Sequence, residues 1–115
     1  MKKKVCLITG ATSGIGKASA YELAQQEYHV ILIARDHQKA ISFQDELIHQ
    51  TKNSSIDLFI ADLSSQSQIH TLAKEIHQKY SQLDILINNA GAIFQYRSLS
   101  VDNIEMTFAL NHLGY

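Results

Sequence analysis

Residues Val5 to Gly16 read VCLITGATSGIG, and this stretch decides the fold. The apolar run at its start is typical of a buried strand, and it is followed by a glycine-rich turn that leads directly into a helix. Glycines let the backbone approach a ligand closely, and the start of the helix presents free N–H groups and the positive end of its dipole. This order of elements predicts a site for the pyrophosphate of a nucleotide.

The glycine spacing narrows the class of nucleotide site. Gly10, Gly14 and Gly16 form a G-x-x-x-G-x-G pattern, which differs from the G-x-G-x-x-G of many dinucleotide-binding folds. A phosphate loop of the NTPase type is excluded, because Gly10 lies one residue too far from the Gly16 and Lys17 pair and Ala18 replaces its Ser or Thr. A plain glycine turn is the alternative, and the strand and helix patterns on both sides disfavour it.

The composition limits the classes of protein to which this chain can belong. The 115 residues are 45% hydrophobic with a formal charge of −1, so we expect one domain over residues 1–115 and neither nucleic acid nor a membrane as partner. The lone Cys6 excludes a disulfide framework, and the six histidines lack metal-ligand spacing, so no metal site is predicted. The apolar run Val5–Ile8 is too short for an export segment, which makes the cytoplasm the expected compartment.

Four apolar runs alternate with helix-like segments along the chain. This pattern predicts a doubly wound α/β fold, in which helices cover both faces of a parallel sheet. The third helix has three candidate N-cap residues, Ser64, Ser65 and Ser67. The predicted strands are Val5–Ile8, Val30–Ala34, Ile56–Ala61 and Asp84–Asn88, and the predicted helices run from Gly14 to about Gln26, from about His37 to Gln50, along the face from Ile69 to Tyr80, and from about Val101 to the end.

Arg35 directly follows the second predicted strand, about twenty residues after the glycine turn. A carboxylate in this region binds the ribose 2′-hydroxyl of NAD, whereas an arginine suits the 2′-phosphate of NADP. Because a guanidinium pairs with a phosphate through two parallel hydrogen bonds, Arg35 favours NADP(H), with Ser13 as a further contact. Two alternatives stay open: Arg35 is a solvated charge, or Asp36 is the ribose carboxylate of an NAD(H) site.

Polar and small residues also follow the third and fourth predicted strands. Asp62 lies at the carboxyl edge, where ligands of open α/β sheets bind, and it either contacts adenine or starts the next turn. The segment Asn88–Gly91 occupies the same edge, where small residues let a cofactor ribose lie close to the backbone; a simple turn is the alternative. Asn111 lies inside the last predicted helix, where asparagine is a poor helix former.

These motifs together resemble the short-chain dehydrogenase/reductase family, over nearly the whole chain and in the right order. The segments Leu83–Gly91 and Asn111–Tyr115 look most like its retinol-dehydrogenase-like branch. The resemblance implies the N-terminal half of a Rossmann-type fold with strand order 3-2-1-4. It also implies NADP(H)-dependent hydride transfer, with NAD(H) as the alternative cofactor, on a small-molecule carbonyl or alcohol, and a homo-oligomeric full-length protein.

The resemblance also implies residue roles. Thr9 matches the threonine that ties the glycine turn to the Asn-Asn-Ala-Gly segment, and Asn111 matches the catalytic asparagine, which holds a kinked helix and a water of the proton relay. The residues that match the family's cofactor site are Thr9, Gly10, Ser13, Gly14, Ile15, Gly16, Arg35, Asp62, Leu63, Asn89, Ala90 and Gly91.

The remaining catalytic set of this family is a serine, then a tyrosine with a lysine four residues later. Tyr21, Tyr28, Tyr80 and Tyr96 are followed at that distance by other residues, and Tyr115 is the last residue. We therefore expect the set to lie beyond Tyr115 and the 115-residue piece to have no turnover. A non-catalytic nucleotide-binding module, an inactive fragment, and an epimerase or dehydratase on a related sheet are the alternatives. The fourth strand is expected to be an open apolar edge that promotes association.

Overall fold

Strands and helices alternate along the chain, as the sequence predicts. A computed structural model describes residues 3–10, 14–62, 65–80, 83–88 and 93–95. None of the helices in these ranges has the length and apolar character needed to cross a membrane. The elements are β1 (Val5–Thr9), α1 (Gly14–Gln25), β2 (His29–Ala34), α2 (His37–Thr51), β3 (Ile56–Ile60), α3 (Gln66–Lys79), β4 (Ile85–Asn88) and β5 (Ile93–Gln95).

The strands form one sheet in the order β3-β2-β1-β4-β5. The first four strands are parallel, which confirms the predicted doubly wound fold and its 3-2-1-4 order. Thr9 lies opposite Ile33 on one side and Asn88 on the other, so the carboxyl ends of three neighbouring strands meet beside the glycine turn. The fold therefore gathers at one edge the segments from which a ligand site was predicted.

The edge of β4 differs from the prediction. Strand β5 pairs antiparallel with β4, with Ile85 opposite Gln95 and Ile87 opposite Ile93, so the expectation of an open edge along this strand is wrong. A run of three residues is too short to show the alternation that marks a strand, and the sequence therefore predicted a loop. The predicted helix from Val101 onward lies outside the described residues.

Some strands and helices begin or end one or two residues away from their predicted bounds. Strand β2 begins at His29, one residue before the apolar run, and β3 ends at Ile60 rather than Ala61. Ser65 is the N-cap of α3, because its Oγ accepts a hydrogen bond from the Gln68 N–H at 3.3 Å. Lys52 ends α2 in the left-handed conformation, with φ 57° and its N–H donating to Ile48 O.

The core has two halves, one on each face of the sheet. Alternate residues of β1 enter different halves: Leu7 packs with the α3 side, whereas Cys6 and Ile8 pack with the α1 and α2 side. All three side chains have no exposed area, as expected for a strand covered on both faces. Burial raises the pKa of the Cys6 thiol to about 12.

Asn53 joins four segments at the amino edge of the sheet. Its side chain is buried, and its Nδ2 donates to Ala24 O at 3.0 Å and to Tyr28 O at 2.8 Å. Its Oδ1 accepts from Ser55 N at 2.9 Å and from Lys3 Nζ at 3.2 Å. Since an unpaired buried amide is costly, these four bonds stabilise the packing of four segments: the approach to β1, the end of α1, the start of β2 and the approach to β3.

A second polar cluster lies at the same amino edge, between β2, β3 and the end of α3. His29 Nε2 lies 2.7 Å from Asp57 Oδ2, the Tyr80 hydroxyl donates to the same oxygen, and Lys79 Nζ lies 3.4 Å from it. Burial alone would raise the pKa of Asp57, but the hydrogen bonds from Tyr80 and His29 and the charge of Lys79 lower it overall. Burial and the bond to Asp57 raise the pKa of Tyr80.

Candidate functional site

The glycine turn and the start of α1 form the centre of the carboxyl edge. Gly10 and Gly14 have φ values of 60° and 54°, in the left-handed region that favours glycine. A Cβ placed on Gly14 would meet no described atom within 4 Å. Helix α1 begins at Gly14 with no acidic residue in its first turn. Its N-terminus therefore has the room and the polarity that a phosphate group needs.

Arg35 and Asp36 have different surroundings. Strand β2 ends at Ala34, and the exposed Arg35 forms no hydrogen bond or ion pair with any residue that the structure describes. Asp36 is the N-cap of α2, and its Oδ1 accepts a hydrogen bond from Lys39 N at 3.1 Å. The carboxylate of Asp36 is thus engaged by the helix, whereas the guanidinium of Arg35 is available to a ligand.

Asp62 lies at the carboxyl edge two residues beyond the end of β3 and is half-buried. Its N–H donates to Gln68 Oε1 at 2.7 Å, and its C=O accepts from Ser65 N at 3.0 Å. The first turn of α3 therefore fixes the backbone at Asp62. Sequence reasoning missed Gln68 as a positioning residue, because a glutamine on an exposed helix face carries no local signal of such a contact.

An open groove between α1 and α2 was also missed. The groove has a volume of about 370 Å³ and is lined by Lys17, Gln38, Lys39, Ser42, Phe43 and Glu46, which we call the α1–α2 groove. No local pattern in the sequence marks this groove, because its lining comes from two separate helices.

Several predicted site residues lie outside the described residues. These are Ser13, Leu63, Asn89, Ala90, Gly91 and Asn111, and only the backbone of Ile15 is described. Of the others, Thr9 is buried in β1 opposite Asn88, and Gly16 is buried in α1. Arg35 and Asp62 follow their predicted strands. The structure thus brings the described members of the predicted site to one edge of the sheet.

Four of the six histidines are exposed on helices, namely His37, His49, His70 and His77. In residues 3–10, 14–62, 65–80, 83–88 and 93–95, no group of three His, Cys, Asp or Glu side chains is placed to hold a metal ion.

A nicotinamide dinucleotide fits the chemistry of these residues. The left-handed glycines and the α1 N-terminus suit its pyrophosphate, and the available guanidinium of Arg35 suits an anionic group on the adenosine ribose.

Several known proteins are similar to this chain in sequence and in fold. Human dehydrogenase/reductase SDR family member 12 is 41% identical over 111 residues, covering 96% of this chain and 35% of that protein. Human retinol dehydrogenase 12 is 40% identical over 112 residues, covering 97% and 35%. A structure of actinorhodin polyketide ketoreductase with NADPH is 32% identical, with a TM-score of 0.68, covering 78% of this chain and 34% of that one.

This chain spans about a third of the length of the curated relatives that it matches. A family model described as short chain dehydrogenase matches residues 4–115, from the approach to β1 to the last residue of the sequence. Because the match includes the glycine turn and the ends of all four parallel strands, the chain belongs to the short-chain dehydrogenase family.

Proposed function

We propose that this chain is the cofactor-binding half of an NADP(H)-dependent oxidoreductase, which transfers hydride between the nicotinamide and a carbonyl or alcohol. The observation that carries the choice of NADP(H) is the contrast at the end of β2. Arg35 is exposed and has no hydrogen-bond or ion-pair partner among the described residues, while the neighbouring carboxylate of Asp36 is bound to the start of α2.

The residues of this chain bind and orient. The turn from Gly10 to Gly14 and the first N–H groups of α1 hold the pyrophosphate, and Arg35 pairs with the 2′-phosphate. Bound NADP(H) supplies or accepts the hydride. Family membership and the NADPH in the related ketoreductase structure support this assignment.

The rest of the proposal extends the family likeness. Asn111 is the catalytic asparagine, a serine and a Tyr-x-x-x-Lys pair come from residues after Tyr115, and the substrate is a small carbonyl or alcohol. The full-length gene product is a cytoplasmic homo-oligomer. Cell fractionation and light scattering test its location and assembly. The 115-residue piece is expected to reduce no carbonyl with NADPH, and any such turnover would contradict this division of roles.

Arg35→Asp in the full-length gene product tests the cofactor assignment. Losing a charge-assisted pair should lower the ratio of kcat/KM for NADPH to that for NADH by about tenfold to a hundredfold. The matched control is Asp36→Asn, which keeps an oxygen for the α2 cap and should leave the ratio unchanged. An unchanged ratio in Arg35→Asp refutes the role of Arg35, and a loss of NADH use in Asp36→Asn would instead identify Asp36 as the ribose carboxylate.

A further inference from the structure

The segment that follows β3 lies beside the end of β2. Ala61 N donates to Ala34 O at 3.0 Å, so the first residue after β3 is hydrogen-bonded to the last residue of β2. Arg35 is the next residue along one chain segment, and Asp62 is the next residue along the other. This bond therefore holds together two strand ends that each lead into a charged residue at the carboxyl edge.

Two hydrogen bonds from the start of α3 fix the backbone of Asp62. Gln68 Oε1 accepts from the Asp62 N–H at 2.7 Å, and the Ser65 N–H donates to the Asp62 C=O at 3.0 Å. These two main-chain groups of Asp62 stand on either side of its Cα. The first turn of α3 therefore sets the position of that Cα and the direction in which the carboxylate leaves the backbone.

The contact made by Gln68 departs from the usual arrangement at the start of a helix. Ser65 and Gln68 have the S-x-x-Q spacing of a capping box, in which the glutamine side chain returns to the N–H of the cap residue. Ser65 Oγ accepts from Gln68 N at 3.3 Å as the motif requires, but the Gln68 side chain bonds to Asp62 N. Gln68 therefore stabilises the segment that leads into the helix rather than the cap itself.

We infer that Gln68 is a positioning residue for the adenine of the cofactor, acting through Asp62. The inference rests on the proposed function, in which Arg35 pairs with the 2′-phosphate. The adenine is attached to the same ribose, and the bond between Ala34 and Ala61 places Asp62 beside the Arg35 segment. The exocyclic amino group of adenine donates hydrogen bonds, and a carboxylate has acceptor sites for more than one donor. Gln68 keeps this carboxylate aligned by holding its backbone.

The test uses the full-length gene product and two reduced dinucleotides, NADPH and its hypoxanthine analogue, with affinities measured by nicotinamide fluorescence. The analogue has an oxygen acceptor in place of the adenine amino group and keeps the pyrophosphate and the 2′-phosphate. The variants are Gln68→Leu, Gln68→Glu and Gln66→Leu. The Gln66 side chain is also exposed in the first turn of α3 and makes no hydrogen bond with any described residue, so Gln66→Leu is the matched control.

The unmodified protein should bind NADPH about tenfold more tightly than the analogue, because a carboxylate accepts from an amino group and not from an oxygen. Gln68→Leu should reduce this preference by about fivefold, since it frees the Asp62 backbone. Gln68→Glu keeps an acceptor for the Asp62 N–H and should retain the preference, while its added negative charge weakens the two anionic dinucleotides equally. Gln66→Leu should bind both as the unmodified protein does.

Asp62→Ala connects the effect of Gln68 to the carboxylate. This variant should lose the preference for adenine, and adding Gln68→Leu to it should weaken NADPH binding no further, because the two residues act through one contact. Three results would overturn the inference: no preference in the unmodified protein, a loss in Gln68→Leu no greater than in Gln66→Leu, or an equal effect of Gln68→Leu with and without Asp62→Ala.

Arg35→Asp separates this inference from the proposed function. If Arg35→Asp shifts the preference from NADPH toward NADH while Gln68→Leu keeps the preference for adenine, only the role of Gln68 fails. If the unmodified protein binds neither NADPH nor NADH, the proposed function fails and the inference fails with it.

Discussion

The two edges of the parallel sheet differ in how completely protein partners engage their polar groups. At the amino edge, Asn53 and Asp57 are held by protein partners: Asn53 makes four hydrogen bonds, and Asp57 accepts from His29 and Tyr80 beside Lys79. At the carboxyl edge, Gly14 leaves space where a side chain would stand, and Arg35 extends without a partner among the described residues.

This difference follows from the direction of the chain. Strands β1, β2 and β3 end at the carboxyl edge, and the helix that follows each of them begins there, so free N–H groups and positive dipole ends collect on that side. The helices end at the amino edge, where side chains close the connections back into the sheet. Internal pairing at the amino edge therefore stabilises the fold, and incomplete pairing at the carboxyl edge leaves groups for a ligand.

The largest expected effect comes from Gly14→Val in the full-length gene product. The left-handed φ of 54° strains a β-branched residue by about 1–2 kcal/mol, and the new side chain fills the space beside the α1 N-terminus. NADPH affinity should fall on the order of a hundredfold, or about 2.8 kcal/mol, because the valine side chain keeps the pyrophosphate away from the first N–H groups of α1. Fluorescence titration measures the affinity.

Lys52→Val is the matched control for Gly14→Val. Lys52 has a similar φ of 57° but lies at the end of α2, near the amino edge. Because lysine already carries the left-handed cost of a Cβ, the branched side chain of valine should lower the free energy of unfolding by less than about 1 kcal/mol and leave NADPH affinity unchanged. If both variants weaken NADPH binding equally, the two edges do not differ as described.

Asn53→Leu should have the next largest effect, on stability alone. The change leaves the carbonyls of Ala24 and Tyr28 without their buried donor, and we expect the free energy of unfolding to fall by about 2–4 kcal/mol. Urea unfolding measures the loss. Ser54→Ala, at the exposed next residue, should change stability by less than about 0.5 kcal/mol. A selective loss of NADPH affinity in folded Asn53→Leu would contradict a purely structural amino edge.

Asp57→Asn should have the smallest effect, and its size should depend on pH. The folded pKa of Asp57 lies below its ordinary value of 3.8, so this carboxylate stabilises the protein above that value, and its contribution is lost as pH falls through the lower folded pKa. At about pH 5, Asp57→Asn should lower the free energy of unfolding by about 1–2 kcal/mol.

The difference between Asp57→Asn and the unmodified protein should shrink from about pH 5 to about pH 2.5. Asp45→Asn removes an exposed carboxylate of α2 and should show no such dependence. A difference that stays constant with pH would show that the Asp57 charge does not stabilise the cluster with His29 and Tyr80.

The sheet and the glycine turn were predictable because their signals are local. Apolar runs mark β1, β2 and β4, and the spacing of Gly10, Gly14 and Gly16 marks the phosphate turn within a few residues. The order 3-2-1-4 came from the family resemblance rather than from the strands themselves. The sequence left open whether Arg35 or Asp36 contacts the cofactor ribose. The choice between them required the geometry of the α2 cap, which the sequence does not show.

The amino-edge clusters were not predictable because their members are distant in sequence. His29 and Tyr80 are 51 positions apart, and Asp57 lies between them, so no window of sequence shows that the three side chains converge. Strand β5 was missed for a different reason, since its pairing depends on the unpaired side of β4 rather than on any pattern of its own. The predicted roles of Asn89 to Gly91 and of Asn111 stay predictions.

The burial of Cys6 has a practical consequence for observing this molecule. The only thiol of the chain lies in the middle of its central strand, with no exposed area and a pKa raised to about 12. The thiolate is the nucleophile that attacks an alkylating reagent, so modification at neutral pH requires that β1 separate from its covering helices. The rate at which a maleimide or iodoacetamide labels this position therefore reports how often the middle of the sheet opens.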